Sequence, residues 1–289
     1  MLERFIVNHR PAVIVDHVEI VNPGTALAML AHKYRIPFVQ IPMHLVADRS
    51  VIPSRASHYC LWGKDYRDWY SDRGIDPAKI SLTGNNRFAY TSYEPRHNKK
   101  SAFDKMNTGA DQFVAVYTVQ PFHQSVLNQV MKWMYDAVCS IPNLTVWVKP
   151  HPSAQTVIQP EVAHSRIKVV PSDLSLADCL HHADALLTIS SNTAIEAAFC
   201  EKPIIVLQPD IPYHFDHHNN TFNSFLVQAK AGPAVYNGKQ LKRCLHRLTR
   251  NSSMRDNLCK QSKRFLERTL QHIENAHIET ANVLKRLMK

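Results

Sequence analysis

The chain has 289 residues, of which 45% are apolar and 20% are charged, and its formal net charge is +10. This composition is ordinary for a soluble globular protein with one large or two modest cores. No apolar run approaches the roughly 20 residues that a membrane span needs, and the N-terminal MLERFIVNHRP lacks the long apolar core of a signal peptide. We therefore expect a protein that stays in the cytoplasm.

The cysteines and the excess positive charge narrow the class further. The six cysteines form no CxxC pair and no regular framework, which indicates reduced thiols. Much of the positive charge lies beyond residue 238, where it suits nucleotide phosphates, an acidic polysaccharide or the anionic inner face of a membrane. A solvated helical face explains the same charge without a partner. No recognition motif accompanies it, so we do not predict nucleic acid as a partner.

The first part of the chain alternates strand and helix patterns. Its short apolar runs end at polar or proline-containing breaks, as buried parallel strands do. The predicted strands are PAVIVDH, IPFVQIP, HYCLWG and KISLTGN, and the predicted helices are a short initial helix, PGTALAMLAHKY and KDYRDWYSDRG. This order predicts an α/β domain with a parallel sheet.

A polar segment then separates two domains. Residues 94–110, EPRHNKKSAFDKMNTGA, lack apolar periodicity and are predicted to be a linker, which places the domains at residues 1–95 and 96–289. FVAVYTVQP is the first strand of the second domain, and a helix with an apolar stripe follows from near His123. Gln120, at the end of that strand, either faces a ligand or is a turn residue.

The first chemically informative loop follows the strand LTVWV. It reads Lys149-Pro150-His151-Pro152, and the two prolines stiffen the loop and fix where the imidazole points. A histidine in this position at a strand's carboxyl end contacts a ligand about as often as it is structural.

The second loop follows the strand ALLTI and reads SSNT, residues 190–193, directly before a helix. Free N–H groups and hydroxyls at a helix N-terminus make an anion site, most simply for phosphate. Ordinary helix capping is the alternative, because Thr193 and Glu196 have the spacing of a capping box.

Together the HP loop, the SS loop, T-x-x-E-A and K-P-I-I-V-L resemble the nucleotide-binding half of GT-B glycosyltransferases. The resemblance is to bacterial capsule and surface-polysaccharide transferases with HP and SS motifs and to CDP-glycerol glycerophosphotransferases. It implies two Rossmann-like parallel-sheet domains with a long C-terminal helix. The segments VDH, IPMHL, SHYCLWG and GIDPAKISLTGNNRFAY are similar to the second half of a GT-B N-terminal domain. The first domain is therefore expected to be incomplete, its other strands being truncated or supplied by another chain.

The same resemblance implies roles for individual residues. His44 would be the catalytic base, although Leu45 stands where relatives have the glycine of a His-Gly turn. His151 would stabilise the charge that develops on the leaving phosphate. We expect no cofactor and no metal. The residues expected to bind the donor nucleotide or its phosphates are Gln120, Lys149, His151, Ser190, Ser191, Asn192, Thr193 and Glu196.

Two further segments complete the chain. QPDIPYHFDHHNNTF places His214, Asp216, His217 and His218 near one another, and we interpret it as a loop that lines the donor pocket rather than as a metal site. From about Ser252 onward the chain is helical and basic with one apolar face. In GT-B proteins the last helix commonly packs on the N-terminal domain, and docking of its basic face on a membrane is the alternative.

We predict a transferase that moves a sugar or glycerol-phosphate unit from a CMP-, CDP- or UDP-linked donor to a polysaccharide or lipid-linked acceptor. It would work in the cytoplasm, with peripheral contact at the inner membrane face left open. A UDP-N-acetylglucosamine 2-epimerase-like enzyme and a non-catalytic nucleotide-binding subunit are the alternatives. The epimerase is disfavoured because SSNT stands where that family has a glycine-containing turn.

Overall fold

A computed structural model describes residues 1–45, 54–90, 93–152, 162–211 and 224–288. The described residues form two compact units. One unit comprises residues up to 90 together with those from 267 onward, and the other comprises residues 93–266. No helix within these ranges is both long and apolar enough to cross a bilayer.

The first unit is a parallel sheet with helices after its strands. The four strands pair in chain order, so each strand lies beside the next one in the sequence. The strands are β1 (Ile14–Asp16), β2 (Phe38–Gln40), β3 (His58–Leu61) and β4 (Ile80–Leu82), and the helices are α1 (Leu2–His9), α2 (Gly24–Tyr34), α3 (Lys64–Ser71) and α4 (Asn86–Ala89), with a 3₁₀ turn at Pro77–Lys79.

The second unit is a six-stranded sheet whose strands are also all parallel. The strands are β5 (Phe113–Thr118), β6 (Leu144–Lys149), β7 (Ile167–Val169), β8 (Ala185–Thr188), β9 (Ile204–Leu207) and β10 (Ala234–Val235). Their spatial order is β10-β9-β8-β5-β6-β7. The chain builds outward from β5 to β7, returns to the other side of β5 at β8, and then builds outward again, which is the order of a doubly wound sheet.

The helices of the second unit bury one face against this sheet. Helix α6 lays the predicted apolar stripe, including Val130, Met131 and Met134, into the core, and α10 packs its own apolar side against α6. The helices are α5 (Lys99–Lys105), α6 (Gln124–Ser140), α7 (Leu176–His182), α8 (Thr193–Phe199), α9 (Phe225–Gln228), α10 (Gly238–Arg250) and α11 (Ser252–Thr269), whose residues after Leu266 group with the first unit, as does α12 (Ala276–Leu287).

The C-terminal segment is tied to the first unit by specific contacts. Val283 of α12 is buried with Val39 and Cys60 of the sheet. The Gln271 N–H donates to the Trp62 carbonyl over 2.9 Å. Gly84 has a φ of +77°, and a Cβ there would lie 2.2 Å from the Gln271 oxygen. Only glycine therefore fits the turn after β4 beside this segment.

Residues 94–110, predicted to be a linker without apolar periodicity, contain helix α5 (Lys99–Lys105). Ala102 and Phe103 of this helix are buried, and the Phe103 ring meets the Trp147 ring edge-on with 5.4 Å between centroids. A helix of seven residues makes only about two turns, which is too short for a periodic apolar pattern to reveal it.

Candidate functional site

The strand order of the second unit indicates where a ligand-binding crevice can form. β5 pairs with β6 on one side and with β8 on the other, so the connections that leave the carboxyl ends of β5 and β8 run to opposite sides. In open parallel sheets, ligands bind at such a switch point. The loops that follow β5 and β8 carry Gln120 and the SSNT residues 190–193, respectively.

Gln120 clamps the SSNT loop to the end of β5. Its Nε2 donates to the Ser190 carbonyl over 2.5 Å, and its Oε1 accepts from the N–H groups of Ser190 at 2.8 Å and Ile189 at 3.2 Å. One side-chain amide thus satisfies three backbone groups that would otherwise need water or other partners. The structure places Gln120 as the residue that positions the loop.

A chain of threonine hydroxyls lies beneath this loop. Thr118 Oγ1 donates to Thr188 Oγ1 over 3.3 Å and lies 2.9 Å from Thr193 Oγ1. In the shorter contact, between Thr118 and Thr193, either hydroxyl can be the donor. Sequence reasoning missed Thr118 and Thr188, although the strands FVAVYT and ALLT both end in threonine.

The start of α8 differs from the predicted capping box. Asn192 is the N-cap and makes no side-chain cap bond, while Thr193 is the first helical residue. The capping box of Thr193 with Glu196 is therefore wrong. Instead Ser191 Oγ accepts from the Thr193 N–H over 3.2 Å. A hydroxyl that accepts retains its own proton to donate, so Ser191 can still donate to an anion.

Glu196 lies in the first turns of α8 and is buried, with 8% of its surface exposed.

The HP loop begins beside the end of β5. Lys149, the last residue of β6, is in register with Thr118, and its carbonyl accepts from the Val119 N–H over 3.0 Å. The Lys149 ammonium donates to the Leu174 carbonyl over 2.5 Å, just before α7. His151 follows two residues later and is half-buried. The three predicted loops of this unit thus leave adjacent strands β6, β5 and β8 at one edge of the sheet.

A buried carboxylate fixes the start of α7 near the HP loop. Asp178 accepts from the His97 N–H at 2.7 Å, the Ser175 hydroxyl at 2.6 Å and the Ser175 N–H at 2.9 Å. Burial acts to raise the pKa of Asp178, but the hydrogen bonds from Ser175 and His97 outweigh it and hold the pKa well below its usual range. The capping box of Ser175 and Asp178 can be predicted from their spacing in the sequence. The contact of Asp178 with the distant His97 cannot be predicted in this way.

His44 belongs to the first unit, in the loop after β2. Its carbonyl accepts from the Tyr66 hydroxyl over 3.1 Å, and its side chain is exposed at the surface. Partial desolvation, with positive charge from His17 and Arg87, lowers the pKa of the His44 imidazole below its ordinary value. The ring is therefore neutral at pH 7 and able to accept a proton.

The predicted histidine-rich loop, with His214, Asp216, His217 and His218, lies outside the described residues. Across the ranges that are described, no group of three His, Cys, Asp or Glu side chains is arranged to hold a metal ion.

Comparison with known proteins gives a family match. The model of the family described as CDP-Glycerol:Poly(glycerophosphate) glycerophosphotransferase matches residues 90–273, more than half of the chain. No curated protein matches the sequence.

Solved structures of similar fold cover nearly the whole chain. S. aureus MnaA, in a co-structure with UDP, has a TM-score of 0.66 at 15% identity, covering 98% of this chain and 78% of its own. Anabaena Alr3699/HepE in complex with UDP has a TM-score of 0.64 at 12% identity, covering 99% and 82%. UDP-GlcNAc 2-epimerase from Neisseria meningitidis bound to UDP-GlcNAc has a TM-score of 0.60 at 14% identity, covering 98% and 79%. These likenesses confirm the predicted arrangement of two Rossmann-like parallel-sheet domains.

Proposed function

Because the chain belongs to the CDP-glycerol:poly(glycerophosphate) glycerophosphotransferase family, which its motifs resemble, we propose that it transfers a glycerol-phosphate or sugar unit from a nucleotide-activated donor to a polymeric or lipid-linked acceptor. The observation that carries this proposal is the SSNT loop, which Gln120 pins at the switch point of a doubly wound sheet. A loop held in this way presents hydroxyls at the start of a helix without needing to reorganise when a ligand arrives.

The donor's phosphates would bind at this loop. Ser191 is the strongest candidate for a hydroxyl donor, because it accepts from Thr193 N–H and keeps its proton. Thr193 acts differently, since its hydroxyl is hydrogen-bonded to that of Thr118. We propose that Ser190, Ser191 and Asn192 contact the phosphates and that Thr193 holds the loop in place.

The HP loop would supply positive charge at the same edge. His151 would stabilise the charge on the departing phosphate when protonated, and Lys149, bonded to the Leu174 carbonyl, would add a longer-range field. Glu196 would accept a hydrogen bond from a sugar or glycerol hydroxyl.

For a CDP-glycerol donor, the transfer balances as follows. An acceptor hydroxyl oxygen bonds to the phosphorus that carries glycerol, and the bond from that phosphorus to the oxygen of the CMP phosphate breaks. The electron pair leaves with CMP, and the proton of the acceptor hydroxyl passes to a base. We propose His44 for that base, because its lowered pKa keeps the imidazole neutral at pH 7. A lipid-linked acceptor would also bring the protein to the inner face of the membrane.

Calorimetric titration with CMP, CDP, UDP and GDP tests the donor site. We expect one nucleotide to bind selectively and His151→Ala to weaken it by about 1.5–3 kcal/mol, the size of a charge-assisted hydrogen bond. His32→Ala is the matched control, because His32 is an exposed residue of α2 in the first unit. Equal losses in both variants, or no binding to the wild type, would contradict the proposed site.

Product analysis separates the proposal from its alternatives. Transfer releases a free nucleotide and lengthens the acceptor, whereas an epimerase, which the fold likeness alone favours, changes the sugar without releasing a nucleotide. A non-catalytic subunit binds the nucleotide and turns over neither. As the pH is lowered, kcat/KM of the wild type should begin to fall only below pH 6.5, where a histidine ordinarily titrates. This decrease in kcat/KM should be absent in His44→Gln.

A further inference from the structure

Helix α10 has two chemically opposite faces. One face is buried against α6 and holds Leu241, Cys244, Leu245 and Leu248. With 3.6 residues per turn, the cationic residues project from the other half of the helix, and all of them are exposed. These residues, which we name the α10 stripe, are Lys239, Lys242, Arg243, Arg247 and Arg250.

The stripe has no internal counter-charge. Helix α10 contains neither Asp nor Glu, and among the described residues the ion pairs do not use any of its five cations. Pairs such as Lys239 with Arg243 and Arg243 with Arg247 stand four residues apart, where like charges destabilise a helix. A helix face that only needs to be soluble can carry interspersed positive and negative charges. A stripe of positive charge alone therefore indicates an anionic partner.

The spacing of the stripe fits a linear anion. Successive cations are one, three or four residues apart, so neighbours lie within about 6 Å along the axis and the whole stripe extends over about 16 Å. Its arginines present forked donors that match phosphate oxygens in pairs. The stripe begins directly after β10, at the carboxyl edge of the sheet, which is also the edge of the SSNT loop.

We propose that the α10 stripe binds the phosphodiester backbone of an anionic polymer and thereby holds the acceptor chain on the enzyme. The identity of that polymer rests on the proposed function. An inserting membrane helix does not fit the same observations, because the apolar side of α10 is buried against α6 and no large apolar side chain is exposed on this helix.

The test is binding of a synthetic oligo(glycerol phosphate) over a range of salt concentrations. The stripe variant replaces all five cations by Gln, which keeps helix propensity. Its matched control removes the same charge from exposed, scattered positions by Arg4→Gln, Lys64→Gln, Lys79→Gln, Lys100→Gln and Lys285→Gln. We expect the stripe variant to bind at least about tenfold more weakly at low salt, and its slope of log Kd against log salt to fall by about 3 to 4. The control should resemble the wild type.

Two parallel measurements make the outcome decisive. Nucleotide titration of the same variants reports on the donor site. If the protein binds the oligomer through the stripe but binds no nucleotide, the result supports the proposal for the stripe and contradicts the proposed function. Vesicles with and without phosphatidylglycerol test a lipid surface. The proposal is overturned if stripe and control variants bind the oligomer equally, if the wild type does not bind it, or if the stripe variant loses only vesicle binding.

Discussion

Each unit holds a distant segment of the chain with one buried carboxylate, yet the two carboxylates differ in pKa. Asp178 in the second unit binds His97 and Ser175, and its pKa is lowered, whereas Asp65 in the first unit binds Arg268 Nε at 2.8 Å and Thr269 Oγ1 at 2.9 Å, and its pKa is raised. Both residues are nearly inaccessible to solvent, but Asp65 is more densely surrounded by protein atoms than Asp178, so desolvation and the bonded groups both contribute to the difference in pKa.

The donors differ as well as the depth of burial. Asp178 accepts from two backbone N–H groups and a serine hydroxyl, and the His97 Nδ1 lies 3.3 Å away; together these groups outweigh the effect of burial. At Asp65, burial outweighs the bonds from Thr269 and Arg268, and the negative charge of Asp68 adds to the upward shift. The Arg268 guanidinium is half-exposed, so water screens much of its attraction. At Asp178 the hydrogen bonds therefore outweigh desolvation, whereas at Asp65 stronger desolvation outweighs the bonds from Thr269 and the solvated Arg268.

The largest expected effect comes from Asp178→Ala. It leaves the His97 N–H without its acceptor and removes the capping box with Ser175, so we expect the free energy of unfolding to fall by about 3 kcal/mol. Urea denaturation measures this. As a control, Asp173→Ala removes a neighbouring exposed carboxylate paired with Lys105 and should change stability by less than about 1 kcal/mol. Similar losses in both variants would contradict the account.

Gln120→Leu tests how much the uncharged hydrogen bonds of the Gln120 side chain contribute to stability and to nucleotide binding. It leaves the Ser190 N–H and carbonyl and the Ile189 N–H without their partner, and we expect a loss of about 2 kcal/mol in unfolding free energy together with loss of nucleotide binding. Gln261→Leu removes a single exposed bond to the Lys230 carbonyl and serves as the control. Retained nucleotide affinity in Gln120→Leu would show that the clamp does not position the site.

Asp65→Asn should have a smaller effect. Because burial already disfavours the charged form of Asp65, a neutral amide of the same shape that still accepts from Thr269 should lower the unfolding free energy by only about 1 kcal/mol. The same change at Asp178 should cost more, since its donors stabilise the charge. An Asp65→Asn loss equal to that of Asp178→Asn, measured by urea denaturation, would break the comparison.

A change of pH should affect the two carboxylates with opposite sign. The lowered pKa of Asp178 gives stability that is present above about pH 3.9, the ordinary value for Asp, and is lost as pH falls through the folded pKa. The raised pKa of Asp65 gives the opposite sign, stability that is present below about pH 3.9 and lost as pH rises through the folded pKa. Subtracting each Asn variant's stability from that of the wild type between pH 2 and 6 should yield curves of opposite slope, and parallel curves would contradict this assignment.

Much of the fold was readable in the chain. The apolar runs and their polar breaks predicted strands β1 to β6 and β8 and several of the helices that follow them, because burial of a parallel strand leaves a short continuous apolar run. The HP and SSNT loops were found as chemically special, and the family match bears out the resemblance they carried. The short helices α4, α5 and α9 were not predicted, because helices of one or two turns are too short to show a periodic apolar pattern.

The contacts that build the candidate site depend on strand order. Alternation of strand and helix predicts that β5 and β8 are parallel, but not that they are neighbours. Their adjacency brings Gln120 to Ser190 and Thr118 to Thr193, residues separated by 70 and 75 positions in the chain. In the same way, the His97 N–H donates to Asp178, which lies 81 positions away in the chain. Local patterns specify which face of an element is buried, whereas hydrogen bonds between distant side chains exist only after the sheet has brought their elements together.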